Sequence, residues 1–208
     1  MISIILSVIT AYLVGSIPMA YIFGKVFKGI DIREHGSGNV GATNIARVMG
    51  KKVGIVVFIL DLAKGLVAVT VIPTFFHNIF ASSGTPSELM LVLSGGASII
   101  GHMWTIFLKF KGGKGVSTTA GVMAGLHPTI LVGGLIVWIA VFAVWKYVSL
   151  ASISAAVALP ILAVITGKDL GFVVFSGIIC ILGVYGHRTN IKRLLRGEET
   201  RIVKVKKS

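Results

Sequence analysis

The chain has 208 residues, 55% of them hydrophobic and only 13% charged, with a single cysteine and a formal net charge of +13. Soluble domains carry about 25% charged residues, so this composition rules against a water-facing globule, and the lone Cys180 rules out an internal disulfide. The basic charge would suit nucleic acid, yet it gathers in the gaps between apolar blocks, as membrane topology alone requires, so nucleic acid is not an expected partner.

Apolar blocks fall at about 2–24, 53–76, 89–108, 116–126, 129–145, 149–166 and 170–186. Most are close to the ~20 residues that cross ~30 Å of hydrocarbon as a helix. The first block starts at residue 2 with no basic region before it, which reads as a span and not as a cleaved signal. Inside it, "GSIPMAYIFG" predicts a kink at Ser16–Pro18. The block 116–126 is short and is followed by His127–Pro128, which argues for a break. The basic residues support counting it as a crossing. With seven crossings, 18 of the 20 Lys and Arg fall on one side, Lys168 alone on the other, and Lys64 within a span. The expected fold is therefore an all-α integral membrane protein, a seven-helix bundle forming one domain over 1–208, with the N-terminus outside and the C-terminus cytoplasmic.

Three glycine-rich or polar segments lie in the gaps assigned to the cytoplasm. "HGSGNVGATNIAR" (35–47) contains a literal G-x-G-x-x-G. A dinucleotide site needs a strand before that motif and a βαβ unit around it, and here a span and a charged loop precede it. The segment reads instead as an anion cradle. Gly36, Gly38 and Gly41 free the backbone, Ser37, Asn39, Thr43 and Asn44 supply short donors, and Arg47 supplies a fork suited to phosphate. In "GHMWTIFLKFKGGKGVST" (101–118), Gly115 stands where an ATP-binding P-loop needs Ser or Thr, so that motif is not met. Gly112, Gly113 and Gly115 around Lys114 still make an anion site, with Ser117 and Thr118 opening the next helix. Lys109 and Lys111 either join it or reach out to lipid headgroups. His102 lies within a span and is equally open to a structural or a catalytic reading. In "GHRTNIKRLLRGEET" (186–200), His187, Asn190 and Leu194 share a helix face, with Arg193 beside them and the later basic run on the membrane surface.

Asp61 and Lys64 are spaced i, i+3 in the second span. Mutual pairing is the expectation, with orientation of a site His or Lys the alternative. Ser149 and Ser152, at the start of the sixth span, are further candidates to reach the site. Gly121 and Gly125 read as a helix-packing seam. The seven acidic residues do not cluster with His at ligand spacing, so no metal and no cofactor is expected.

Together "GSIPMAY", "GSGNVGATNIAR", "FKGGKGVST" and "HRTNIKRLLRGEE" resemble the bacterial acyl-phosphate:glycerol-3-phosphate acyltransferases, in the family's order and across residues 15–199. The resemblance implies a seven-span enzyme of the inner membrane with its site facing the cytoplasm. The reaction it implies is acyl transfer from acyl phosphate to the sn-1 hydroxyl of sn-glycerol 3-phosphate, giving lysophosphatidic acid and inorganic phosphate. The partners are then those two substrates and membrane lipid; the oligomeric state stays open, with a monomer sufficient. Lys114 and the loop N–H groups would stabilise charge on the acyl phosphate, while Arg47, His187 and Asn190 would hold glycerol 3-phosphate, with Ser37 at the same site. Either His187 or a substrate phosphate could act as the base. A transporter would use similar helix-end anion sites but predicts an internal repeat, and the three segments are mutually dissimilar.

Overall fold

The computed structural model describes residues 1–80 and 84–201. Lys204, Lys206 and Lys207 of the basic tail lie outside the described residues. The secondary structure is helical throughout the described residues, and the chain divides into two compact units, Met1–Leu126 and His127–Ser208.

The first unit holds α1 (Ile2–Ser16), α2 (Met19–Lys28), α3 (Ala42–Met49), α4 (Lys51–Val69), α5 (Val71–Phe80), α6 (Glu88–Met103) and α7 (Val116–Leu126). The expected kink is a full break: α1 ends at Ser16 and α2 begins after Pro18. Proline has no N–H to continue the ladder, so carbonyls of the preceding turn need other donors. Thr105 Oγ1 donates to Ser16 O at 2.5 Å and Lys64 Nζ to Ile17 O at 3.1 Å.

Small residues let these helices approach closely, as in lipid-embedded packing. A Cβ on Gly15 would strike the Ser98 backbone, and one on Gly101 would strike Tyr12 O, so α1 and α6 meet nearly backbone to backbone. Ser7 and Ser94 share a hydrogen bond of 2.7 Å across that contact, which satisfies two buried hydroxyls. The predicted glycine seam forms between α7 and α4: Gly121 faces Leu62 O, Gly125 faces Val69, and Gly65 returns the contact against Thr118 O. Large side chains on the same helices, such as Ile5, Ile9 and Leu13 of α1, are exposed, the inside-out pattern that lipid permits.

The second unit holds α8 (Pro128–Trp145), α9 (Val148–Ile165), α10 (Leu170–Gly186) and α11 (Arg188–Leu195). Pro128 opens α8 at the first-turn position, where its missing N–H costs nothing. Asp169 caps α10 by accepting from Phe172 N at 3.1 Å. The Trp138 indole donates to Ser152 Oγ at 3.1 Å, tying α8 to α9.

Five helical runs are long and apolar enough to cross a membrane: Ile2–Lys28, Lys51–Phe80, Glu88–Leu108, Pro128–Trp145 and Val148–Ile165. The pair α10–α11, bent by 58°, makes a sixth. The expected fourth crossing at 116–126 is an eleven-residue helix, which at 1.5 Å per residue covers only about half of a ~30 Å hydrocarbon core.

Candidate active site

The first glycine segment is built around one buried amide. Asn44, 1% exposed, accepts from Ser37 N at 2.8 Å and donates to Ile32 O at 3.2 Å, His35 O at 3.0 Å and Asn39 O at 3.0 Å. The loop curls round it because Gly36 and Gly38 take positive φ, 62° and 71°. A Cβ on Gly36 would also run into Asn44 Oδ1. Buried Ile32, Val40 and Ile45 anchor the loop's two ends against Val57 and Leu108. The amide of Asn44 is thus committed to the loop, which replaces its expected role as a substrate donor with a loop-shaping one. Ser37 and Arg47 stand on the outside of this framework with exposed side chains, and Thr43 is partly exposed in the first turn of α3.

Replacing Asn44 by Ala removes these bonds and leaves three carbonyls and one N–H to find new partners. At about 1 kcal/mol net per bond, the expected loss of stability is about 3–4 kcal/mol. Thermal unfolding in detergent checks this; Asn44→Asp, unable to donate to the carbonyls, should fare no better.

The second segment leaves α6 at Met103 and doubles back. Lys109 and Phe110 adopt left-handed conformations, φ 53° and 60°. The returning strand is then pinned to the helix end: Gly112 N donates to Met103 O at 3.0 Å and Gly113 N to His102 O at 2.9 Å. Gly113 has no room for a side chain, since a Cβ there would fall on His102 Nε2 and lie 2.8 Å from Val40 O. The two glycine segments therefore touch at Gly113 and Val40. Gly115, at φ 81°, turns the chain into α7, whose first-turn bond runs from Thr119 N to Gly115 O at 2.7 Å. Lys114 sits at this junction, partly exposed. Lys109 and Lys111 are exposed, Ser117 is half-buried, and Thr118 is fully buried in the seam with α4, away from the loop.

Beneath the two loops lies a narrow cleft whose lining includes Ser16, Pro18, Val40, Asp61, Lys64, His102, Thr105 and Gly112. Lys64 Nζ is 2.8 Å from Asp61 Oδ1, and His102 Nδ1 lies 3.7 Å from the same oxygen. Asp61 and Lys64 do pair, as the spacing predicts, and His102 joins them.

The third segment belongs to the second unit. His187 is 3% exposed at the junction of α10 and α11, and its Nδ1 lies 2.8 Å from Gly183 O. A carbonyl only accepts, so Nδ1 donates, and the neutral ring keeps its lone pair on Nε2. Asn190 Nδ2 donates to Glu199 Oε1 at 2.8 Å, Ser149 Oγ donates to the same oxygen at 2.8 Å, and Arg193 Nε donates to Glu199 Oε2 at 2.8 Å. Ser152 is occupied by the Trp138 indole. Glu199 is the residue the sequence reading missed; its one signal was an acid in a strongly basic tail.

Burial pushes the Glu199 carboxyl up, but the bonds from Arg193, Asn190 and Ser149 outweigh it, so its pKa falls below the ordinary value of 4.5. A depressed carboxylate stabilises the folded state above its unfolded pKa and loses that contribution as pH falls through the folded value. Docking of the 197–200 turn should therefore persist at neutral pH and release only under clearly acidic conditions. Glu199→Gln should release it at neutral pH, read as new proteolytic cleavage after Arg196.

Comparison with known proteins places this architecture. The family model for glycerol-3-phosphate acyltransferase matches residues 5–197. The glycerol-3-phosphate acyltransferase of Desulforudis audaxviator is 43% identical, with 96% of each chain covered, and that of Chlorobaculum tepidum is 39% identical, with 97% of each covered. Among solved structures, PlsY (YgiH), an integral membrane glycerol 3-phosphate acyltransferase, superposes in its glycerol 3-phosphate form with a TM-score of 0.86 at 39% identity, covering 97% of this chain and 96% of that one. Its lysophosphatidic acid form superposes with a TM-score of 0.83. An all-helical membrane fold, glycine segments stripped of acid, and agreement over nearly the whole length lead to one conclusion: this chain belongs to the glycerol-3-phosphate acyltransferase family.

Proposed function

We propose that the acyl donor is an acyl phosphate, that the acceptor is the sn-1 hydroxyl of sn-glycerol 3-phosphate, and that the products are lysophosphatidic acid and inorganic phosphate. The observation that carries this is the meeting of two glycine segments at Gly113 and Val40, with Lys114 beside them and a donor-rich, acid-poor backbone on both sides. Such a surface suits the charged oxygens of a phosphate.

The hydroxyl oxygen forms a bond to the acyl carbon, the bond from that carbon to the phosphate oxygen breaks, and phosphate departs with the electron pair. The hydroxyl proton passes to a substrate phosphate, whose second pKa near 6 suits a base at neutral pH. Phosphate leaves readily without a strong general acid. Lys114 and loop N–H groups then oppose the charge that grows on the donor. Ser37 and Arg47 flank the same loop. In the second unit, His187 and Asn190 are assigned to binding glycerol 3-phosphate, with Nε2 of the neutral His187 ring accepting from a substrate hydroxyl. With α7 as a short seventh crossing and the N-terminus outside, the basic segments face the cytoplasm of a bacterial inner membrane.

The test uses purified protein, glycerol 3-phosphate and a synthetic acyl phosphate. One phosphate released per lysophosphatidic acid formed is expected. Product from acyl-CoA with none from acyl phosphate would assign the other donor.

A further inference from the structure

Resting on that reading of the loops as a phosphate site, we infer that Asp61 is a positioning residue: through Lys64 and His102 it sets the shape of the Gly112–Gly113 return that carries Lys114. The argument begins with cost. Asp61, Lys64 and His102 are 1%, 5% and 7% exposed, inside helices that run through the membrane. A buried ion pair contributes little net stability, and apolar replacements of similar size often serve as well. Holding the helices together therefore does not account for it.

Both arms of the cluster end on the walls of the cleft. Lys64 Nζ, fixed by Asp61 Oδ1 at 2.8 Å, donates to Ile17 O at 3.1 Å, at the break that Pro18 opens between α1 and α2. The His102 ring, 3.7 Å from the same carboxylate oxygen, lies against Gly113, while the His102 carbonyl takes the Gly113 N–H at 2.9 Å. One carboxylate thus ties a broken helix on one side to the glycine return on the other. Turning the ring would move Gly113, and with it the next residue, Lys114.

The experiment compares wild type with Asp61→Asn, the double variant Asp61→Asn/Lys64→Met, and His102→Asn in detergent. It reads thermal midpoint, kcat, the KM of each substrate, and the affinity for inorganic phosphate by calorimetry. The double variant leaves no unpaired buried charge and should melt close to wild type. Its KM for acyl phosphate should rise about tenfold, and its phosphate affinity fall by a similar factor, with kcat and the KM for glycerol 3-phosphate much less affected. His102→Asn should shift the same two quantities. A double variant with wild-type KM and wild-type phosphate affinity would overturn the inference, as would losses in kcat and both KM values that simply follow the melting temperature. If wild type turned over no acyl phosphate, the donor assignment would fail, and the calorimetric comparison would still decide the role of Asp61.

Discussion

Replacing Lys114 by Met should lower kcat/KM for acyl phosphate by about 10²–10³, the range for losing one preorganised group that stabilises developing charge. The reasoning is positional. Lys114 sits between Gly113, which has no space for a side chain, and Gly115, whose φ of 81° favours glycine. The backbone on both sides is therefore held, and Lys114 is placed just before the head of α7. There the helix's own N-terminal dipole adds to its charge. Methionine keeps most of the aliphatic stem and removes the ammonium with its charge and its donors, and the rate should fall further than the thermal midpoint. Lys114→Arg should recover only part of the loss, because a planar fork does not sit where a compact ammonium does. Phosphate release at saturating glycerol 3-phosphate measures both. A Met variant within a factor of about three of wild type would remove Lys114 from the charge-stabilising role.

Hydropathy made the long apolar helices legible because a membrane span is a statement about composition. The kink at Pro18, the Asp61–Lys64 pair and the Gly121/Gly125 seam were legible for similar reasons: each is a local rule of spacing or sterics. What was hidden depends on contacts distant in sequence. The segment 116–126 reads as a block of apolar residues, and only its neighbours decide how much of the bilayer it fills. Asn44 reads as a donor facing a ligand, yet its amide is turned into the loop, because the carbonyls of Ile32, His35 and Asn39 converge on it. Nothing in the spacing of His102 predicts that it joins Asp61. Spacing names no partner for Glu199, and three donors from α9 and α11 close on it. The glycines were read as freeing the backbone, which covers only part of what the structure asks of them. Freedom of φ explains Gly36, Gly38 and Gly115, whereas Gly112 and Gly113 are required by space.

That distinction makes the second large prediction. Gly113→Ala should reduce turnover by about 10²-fold although alanine suits the local backbone, since displacing the loop by a fraction of an ångström to an ångström misplaces the groups it carries. The added carbon would fall on His102 Nε2 and lie 2.8 Å from Val40 O. One obstacle is a side chain held near Asp61; the other is the backbone of the first glycine segment, fixed by its own buried residues. Overpacking of this kind costs about 1–3 kcal/mol when the surroundings yield, and they yield here by parting the two loops. Combining Gly113→Ala with His102→Ala removes the first obstacle and leaves the second, so activity should return only in part. Gly177→Ala in α10 serves as the control: nothing lies within 4 Å of a Cβ there, and alanine favours a helix by up to about 1 kcal/mol. That variant should retain wild-type turnover and melt no lower. Equal activity of the Gly113 and Gly177 variants would mean that the meeting of the two loops is incidental to catalysis.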